Sequence, residues 1–172
     1  ETYVEPSVIE KLKPGNRVAV PDFGDQGKWY IQRLTERTYW MICNGFATTA
    51  YVGYESVLLV DASNTVVPAD MLAAIKQFTD LPVSTLVYSH MHTDHVGGSY
   101  RLQRALKKQG INLRIVASAS AAREITAHQN NVAPPTKIIP DGRSTFMFES
   151  FEFIIATPIV AAHSAADSYV LT

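Results

Sequence analysis

The feature that most constrains this chain is the stretch SHMHTDHVGG (89–98), which follows the apolar run VSTLVY (83–88). It holds three of the five histidines, His90, His92 and His95, with Asp94 between them. On a strand, positions 90, 92 and 94 share one face and 95 points to the other; on a helix, 90 and 94 align and 92 does not. Neither regular element brings all four side chains to one point. A turn at the end of a strand does, and Gly97 and Gly98 then let other backbone pass close to that turn. The reading is therefore a rigid strand that ends in a loop rich in potential ligands, the usual place for a site in an α/β sheet.

The rest of the chain fits around that strand. Pro6, Pro14, Gly15, Pro21, Gly24 and Gly27 punctuate an irregular N-terminal segment, residues 1–33. TYWMIC (38–43) and TTAYVGY (48–54) are rich in aromatic and β-branched residues and form a strand pair. SVLLVDA (56–62) reads as a strand buried on both faces. ADMLAAIKQF (69–78) is helical with Pro68 at its start, and GGSYRLQRALKKQG (97–110) is a helix closed by Gly110. LRIVAS (113–118) is a further strand, SAAREITAHQ (120–129) a helix, and NNVAPPTK a loop. From 137 onward the signal is β: KIIPDGRSTFMF with a Pro-Asp-Gly turn, then FEFIIATP and DSYVLT. Helices alternate with strands in the middle and strands gather at both ends, which predicts one α/β layered domain over 1–172 with a mixed sheet.

Imidazole nitrogens and a carboxylate oxygen suit Zn²⁺, Fe or Mn better than Ca²⁺ or Mg²⁺. Four such ligands exceed what one tetrahedral catalytic ion takes, since that site keeps a position open, so a two-metal arrangement is the expectation. The bland alternative is a histidine-rich surface loop; the placement between a strand and a Gly-Gly helix start counts against it. H-E-x-x-H and paired cysteines, the marks of other metal sites, are absent from the sequence.

Composition narrows the function classes. A formal net charge of −1 over 172 residues argues against a nucleic-acid surface. No apolar run approaches the roughly 20 residues of a membrane-spanning helix. Cys43 is the single cysteine, which excludes an intrachain disulfide and reads as a small buried hydrophobe. Glu1 stands where Met would open a chain, so the expectation is a removed upstream segment: secreted or periplasmic if Glu1 is a processed terminus, otherwise cytoplasmic.

SHMHTDHVGG resembles the H-x-H-x-D-H signature of the metallo-β-lactamase superfamily, and VLLVDA resembles that family's strand ending in Asp. TPIVAAHSAADSYVLT is similar to its third-ligand segment, and the likeness runs over about residues 34 to 172. The resemblance implies an αββα sandwich. It implies that His90, His92 and His163 bind a first metal and that Asp94 and His95 bind a second, with Zn the expected ion and Fe or Mn the alternatives. It further implies a hydrolase in which metal-activated water attacks an electrophilic centre, Asp94 acting as the catalytic residue that orients or deprotonates that water. Asp61 looks like a residue that holds a ligand or the motif loop, with a strand-end or helix-cap carboxylate the equal alternative.

The family's bridging Asp and final His have no counterpart up to Thr172, and Asp167 stands too close to His163 for the bridging position and reads as a turn residue. The expectation is the first half to two-thirds of the sandwich, with the apolar face of FEFIIA and YVLT uncovered until a further segment or a second copy completes it. The implied partner is a small-molecule substrate with an ester, lactone, thioester, β-lactam or sulfate-ester bond, with neither nucleic acid nor membrane. Two other readings stand beside it: a metal-binding or interaction domain without turnover, and an iron-dependent redox member of the same family. His128 reads as a helix C-terminal residue, RLQRALKKQG as a solvated basic face, and Trp29, Tyr30, Tyr39 and Trp40 as aromatic packing before pocket lining. GFATTAYVGYES is a candidate flap by analogy with family hairpins.

Overall fold

Runs of aromatic and β-branched residues in the first four-fifths of the chain pair into one large sheet. The computed structural model describes residues 3–4, 28–128, 131–159, 163–164 and 166–171. Its eight-stranded sheet follows sequence order: β1 (Tyr3–Val4), β2 (Tyr30–Arg33), β3 (Thr38–Cys43), β4 (Phe46–Val52), β5 (Val57–Val60), β6 (Val83–Val87), β7 (Arg114–Ser118) and β8 (Lys137–Ile139). Strands β2 to β5 form an antiparallel meander, while β5 to β8 are parallel. The parallel half needs crossovers, and helices supply them. α1 (Pro68–Ile75) joins β5 to β6, α2 (Thr93–Val96) and α3 (Ser99–Lys107) join β6 to β7, and α4 (Ala119–His128) joins β7 to β8.

Helix limits follow local chemistry. Val67 is extended and Pro68 opens α1, where its fixed φ is already helical and its missing N–H costs nothing. Beyond α3, Gly110 takes φ +81°, a conformation that favours glycine, and the chain turns back toward β7. Arg104 and Lys107 in the last turn of α3 face its carbonyl end, and Leu102 and Leu106, one helical turn apart, are buried beneath it.

A second, three-stranded antiparallel sheet is built from β9 (Arg143–Phe148), β10 (Phe151–Ala156) and β11 (Tyr169–Leu171), in the order β11-β10-β9. The large sheet is buried on both faces, which is why its central strands read as continuous apolar runs. Leu59, Leu86, Ile115 and Ala117 face the helices with Met71, Ile75, Leu102, Leu106 and Ile125. Leu58, Val87, Val116 and Ile139 face the other way, onto Phe146, Phe148, Phe153 and Ile155 of the small sheet. Among the described residues the architecture is therefore helix layer, large sheet, small sheet. No helix of these residues is long and apolar enough to cross a membrane.

Three expectations change. The segment 1–33 is not wholly irregular: Tyr3–Val4 pairs in parallel with β2, and Tyr30–Arg33, an aromatic and β-branched run without a turn signal, is a strand. The rest of that segment, residues 1–2 and 5–27, lies outside the described residues. The motif is not all loop, since Thr93–Val96 makes one helical turn. FEFIIA is not uncovered: Phe153 and Ile155 are buried against the large sheet, and the exposed apolar side chains of this sheet, Met147, Tyr169 and Leu171, lie on its outer face. The Pro-Asp-Gly turn carries the chain from β8 in one sheet to β9 in the other, with Gly142 at φ +93°.

Candidate metal centre

The site stands at the carboxyl ends of the parallel strands β5 and β6, where the two neighbouring chain ends carry polar groups toward one another. The ladder continues one step past each strand: Asp61 N–H donates to Val87 O at 2.9 Å and Tyr88 N–H to Val116 O at 2.9 Å. Asp61 then takes φ +67°, a left-handed conformation that Asp tolerates better than most residues. Its buried carboxylate accepts from the backbone N–H of Ser89 at 2.9 Å and from the Ser89 hydroxyl at 2.6 Å. The same hydroxyl oxygen is 2.7 Å from His90 Nδ1.

That contact assigns a tautomer. The Ser89 hydroxyl has one hydrogen, and it donates that hydrogen to Asp61 Oδ2. His90 Nδ1 must then be the donor to Ser89 Oγ, leaving the lone pair on Nε2. His90 Nε2 is buried and, with Trp29 Nε1, is one of two buried side-chain polar atoms without a hydrogen-bond partner among the described residues. Burial pushes the His90 imidazole below its ordinary pKa; Asp61 pulls it back, and His95, His92 and His163 push it down again. A neutral imidazole with a buried lone pair is a ligand in search of a cation.

His92 and His163 meet it there. His92 opens α2, and His163 comes from the loop between β10 and β11, 71 positions further along the chain. His92 Nδ1 and His163 Nε2 are 3.1 Å apart. Each ring stacks edge-on to His90, at centroid distances of 4.8 and 5.0 Å. One ligand atom from each of the three histidines lies within 4.8 Å of the others. Two nitrogens bound tetrahedrally to one Zn²⁺ at about 2.0–2.1 Å stand roughly 3.3 Å apart. The spacing and the orphaned Nε2 of His90 therefore fit a metal ion held among the three rings.

The remaining residues of the motif divide between support and a second group. His95 Nδ1 lies 3.5 Å from Asp61 Oδ2, and its Nε2 lies 3.7 Å from Asp94 Oδ2. The adjacent Asp61 carboxylate raises the His95 pKa against the effect of burial, and the Asp94 charge adds to the rise. Asp61, His90 and His95 make a second close group of potential ligand atoms; Asp94, half-exposed, belongs to neither group and joins the cluster through His95. Phe46, just past the Asn44-Gly45 turn of the proposed flap, sets its ring edge-on to His95 at 6.0 Å.

Backbone packing explains the glycine pair. Gly98 N–H donates to Ala62 O and Ala62 N–H to His95 O, both at 2.8 Å, so the motif is sewn onto the end of β5. A Cβ on Gly98 would run into the carbonyl oxygens of Ser63 and Ala62. Other residues fall outside the site: His128 ends α4 beside Glu124, Cys43 is buried in β3, and Tyr39 stacks on Phe78 at 4.0 Å. Ser89 and Phe46 carry no motif that singles them out. Only the parallel pairing of the strand ends that bear Asp61 and His90 brings Ser89 into view.

The sequence profile of the metallo-beta-lactamase superfamily matches residues 44–154, well over half of the chain. The chain belongs to the metallo-β-lactamase superfamily. No curated protein matches it in sequence. Solved metallo-β-lactamases share its fold at low identity. One from Novosphingobium pentaromativorans aligns at TM-score 0.62 and 20% identity, covering 77% of this chain and 51% of that one. FEZ-1 from Legionella gormanii aligns at TM-score 0.60 and 16% identity, covering 80% and 55%. A subclass B3 enzyme of Bradyrhizobium japonicum aligns at 0.63 and 13%, covering 88% and 58%. This superfamily member thus spans between half and three-fifths of the length of these three structures.

Proposed function

We propose that the chain carries the metal centre of a metal-dependent hydrolase, with His90, His92 and His163 holding one ion. The observation that supports it is the approach of His92 Nδ1 to His163 Nε2 at 3.1 Å beside the buried, unpartnered Nε2 of His90. Asp94 Oδ2 and His95 Nε2, 3.7 Å apart, are the half-site for a second ion. Zinc suits this nitrogen-rich set, with Fe or Mn the alternatives. A bound ion supplies Lewis acidity and lowers the pKa of water toward about 7. The chain's own residues do the rest: Asp61 and Ser89 hold His90 in the tautomer that presents Nε2, and Asp94, with a half-exposed carboxylate, accepts the proton of the attacking water. The substrate class is a small molecule with an ester, lactone, thioester or β-lactam bond.

Elemental analysis of protein purified without added metal, followed by turnover assays on those four bond types, tests this reading. One or two zinc per chain are expected, and His92→Ala is expected to remove most of the metal. Full metal content in that variant would remove His92 from the ligand set. Metal without turnover on any of the four would leave a binding domain, and iron in place of zinc would favour redox chemistry at the same ligands.

A further inference from the structure

Of the three histidines, His163 stands furthest along the chain from any helix or strand. It sits exposed in the loop between β10 and β11, and its partners His90 and His92 belong to the motif after β6. A ligand on such a loop spreads over many positions unless its backbone is held, and metal sites tolerate roughly half an ångström of error.

From the loop geometry we infer that Asp167 is the positioning residue of this site. Its Oδ2 accepts the backbone N–H of His163 at 2.7 Å, and its Oδ1 accepts the backbone N–H of Ser164 at 2.9 Å and the Ser164 hydroxyl at 2.6 Å. Three donors from two consecutive residues thus converge on one short carboxylate, and bonds to an ionised acceptor are the stronger kind. The base of the turn is fixed in turn. Ser164 Oγ accepts the N–H of Ala166, Ala166 is 2% exposed within the main core, and the Ser168 hydroxyl donates to Ser118 Oγ at the end of β7 at 3.1 Å. Asp167 therefore transmits the rigidity of β7 and β11 to the backbone of His163. Both of its oxygens serve this turn, which separates it from the ligands themselves.

The inference rests on the ligand set proposed above, and the test keeps the two apart. Zinc affinity of the 172-residue chain is measured by competition with a chromophoric chelator, alongside the thermal midpoint of the metal-free protein. Asp167→Asn keeps the shape but turns an N–H donor on the His163 N–H; zinc is expected to bind about tenfold more weakly, in the range seen when groups that orient ligands are removed. The metal-free midpoint is expected to fall modestly, because the three bonds to the carboxylate weaken, so zinc affinity is compared on the folded chains. The Co²⁺-loaded variant is expected to show a changed visible absorption. Should Asp167→Asn not fold, Asp167→Glu, which keeps the charge on a longer arm, is read by the same criteria. Unchanged zinc affinity in the folded variant, with or without a fall in the metal-free midpoint, overturns the positioning role and leaves a plain turn former. His163→Ala run beside it is expected to weaken zinc further; if it does not, the ligand set has failed and the role of Asp167 with it.

Discussion

Because the Ser89 hydroxyl stands between the Asp61 carboxylate and His90 Nδ1, at 2.6 and 2.7 Å, its removal isolates the tautomer of one ligand. Ser89→Ala leaves His90 Nδ1 without its acceptor and lets the proton occupy Nε2, where it blocks the metal. Zinc affinity is expected to fall about 10- to 100-fold, read by chelator competition; an unchanged affinity would mean that the ring is oriented by packing alone. Gly98 is tested by size instead of hydrogen bonding. Its φ of −82° suits any residue, but an added Cβ would lie 2.7 Å from Ala62 O and closer still to Ser63 O. Both obstacles are backbone, so Gly98→Ala is expected to destabilise by about 1–3 kcal/mol in urea unfolding, the cost of overpacking. Here the sequence was legible, since a glycine pair after the motif already implied close backbone. Ser89 was not, because serine before a histidine has no meaning until two parallel strand ends place Asp61 beside it.

At the scale of elements, the two sheets are clasped at the end where Glu149 turns. This residue, at φ +52° between β9 and β10, sends its carboxylate into the turn between β4 and β5. It accepts the N–H groups of Tyr54, Glu55 and Ser56 and the Ser56 hydroxyl. Arg37 lies over the rings of Tyr54 and Phe151, at 4.4 and 5.2 Å, and donates to Val52 O and Gly53 O. Burial pushes the Glu149 carboxyl up, but the bonds from Tyr54, Ser56 and Glu55 together outweigh it and hold the carboxyl below its ordinary 4.5. A depressed carboxyl stabilises the fold above its unfolded pKa and ceases to as pH falls through the lower folded value. Glu149→Gln is therefore expected to cost about 1–3 kcal/mol at pH 7, with the gap from the unmodified chain closing below pH 4.5. Urea unfolding of both proteins at the two ends of that range checks it, and a gap that persists undiminished in acid would show that the charge is not what holds the clasp. The strands themselves were legible from their runs of β-branched residues. The clasp was not: Glu149 and Tyr54 are 95 positions apart, and neither turn carries a local sign that the other is near.

At the scale of the whole molecule, the candidate centre joins two sheets that apolar packing and the Glu149 clasp also hold together. His90 and His92 follow β6 of the large sheet, whereas His163 precedes β11 of the small one. Packing of Phe146, Phe153 and Ile155 on Leu58, Val87 and Val116 already holds the sheets together without an ion. That separation explains what the sequence could reveal. H-x-H-x-D-H is local and marks half of the site by itself, while His163 gains meaning only from a likeness to a family or from the fold that closes the distance. An ion held by ligands from both sheets binds the folded chain and not the unfolded one, so it must raise stability by mass action. At free zinc about 100-fold above Kd the gain is about 2.7 kcal/mol, which for a domain of this size moves the thermal midpoint by about 5–10 °C. Thermal unfolding in excess zinc and in a strong chelator is expected to show this shift, and His163→Ala is expected to shrink it while leaving the chelated midpoint near that of the unmodified chain. If the midpoint instead rises equally in both proteins, the stabilising ion sits on the motif alone and the small sheet contributes no ligand to it.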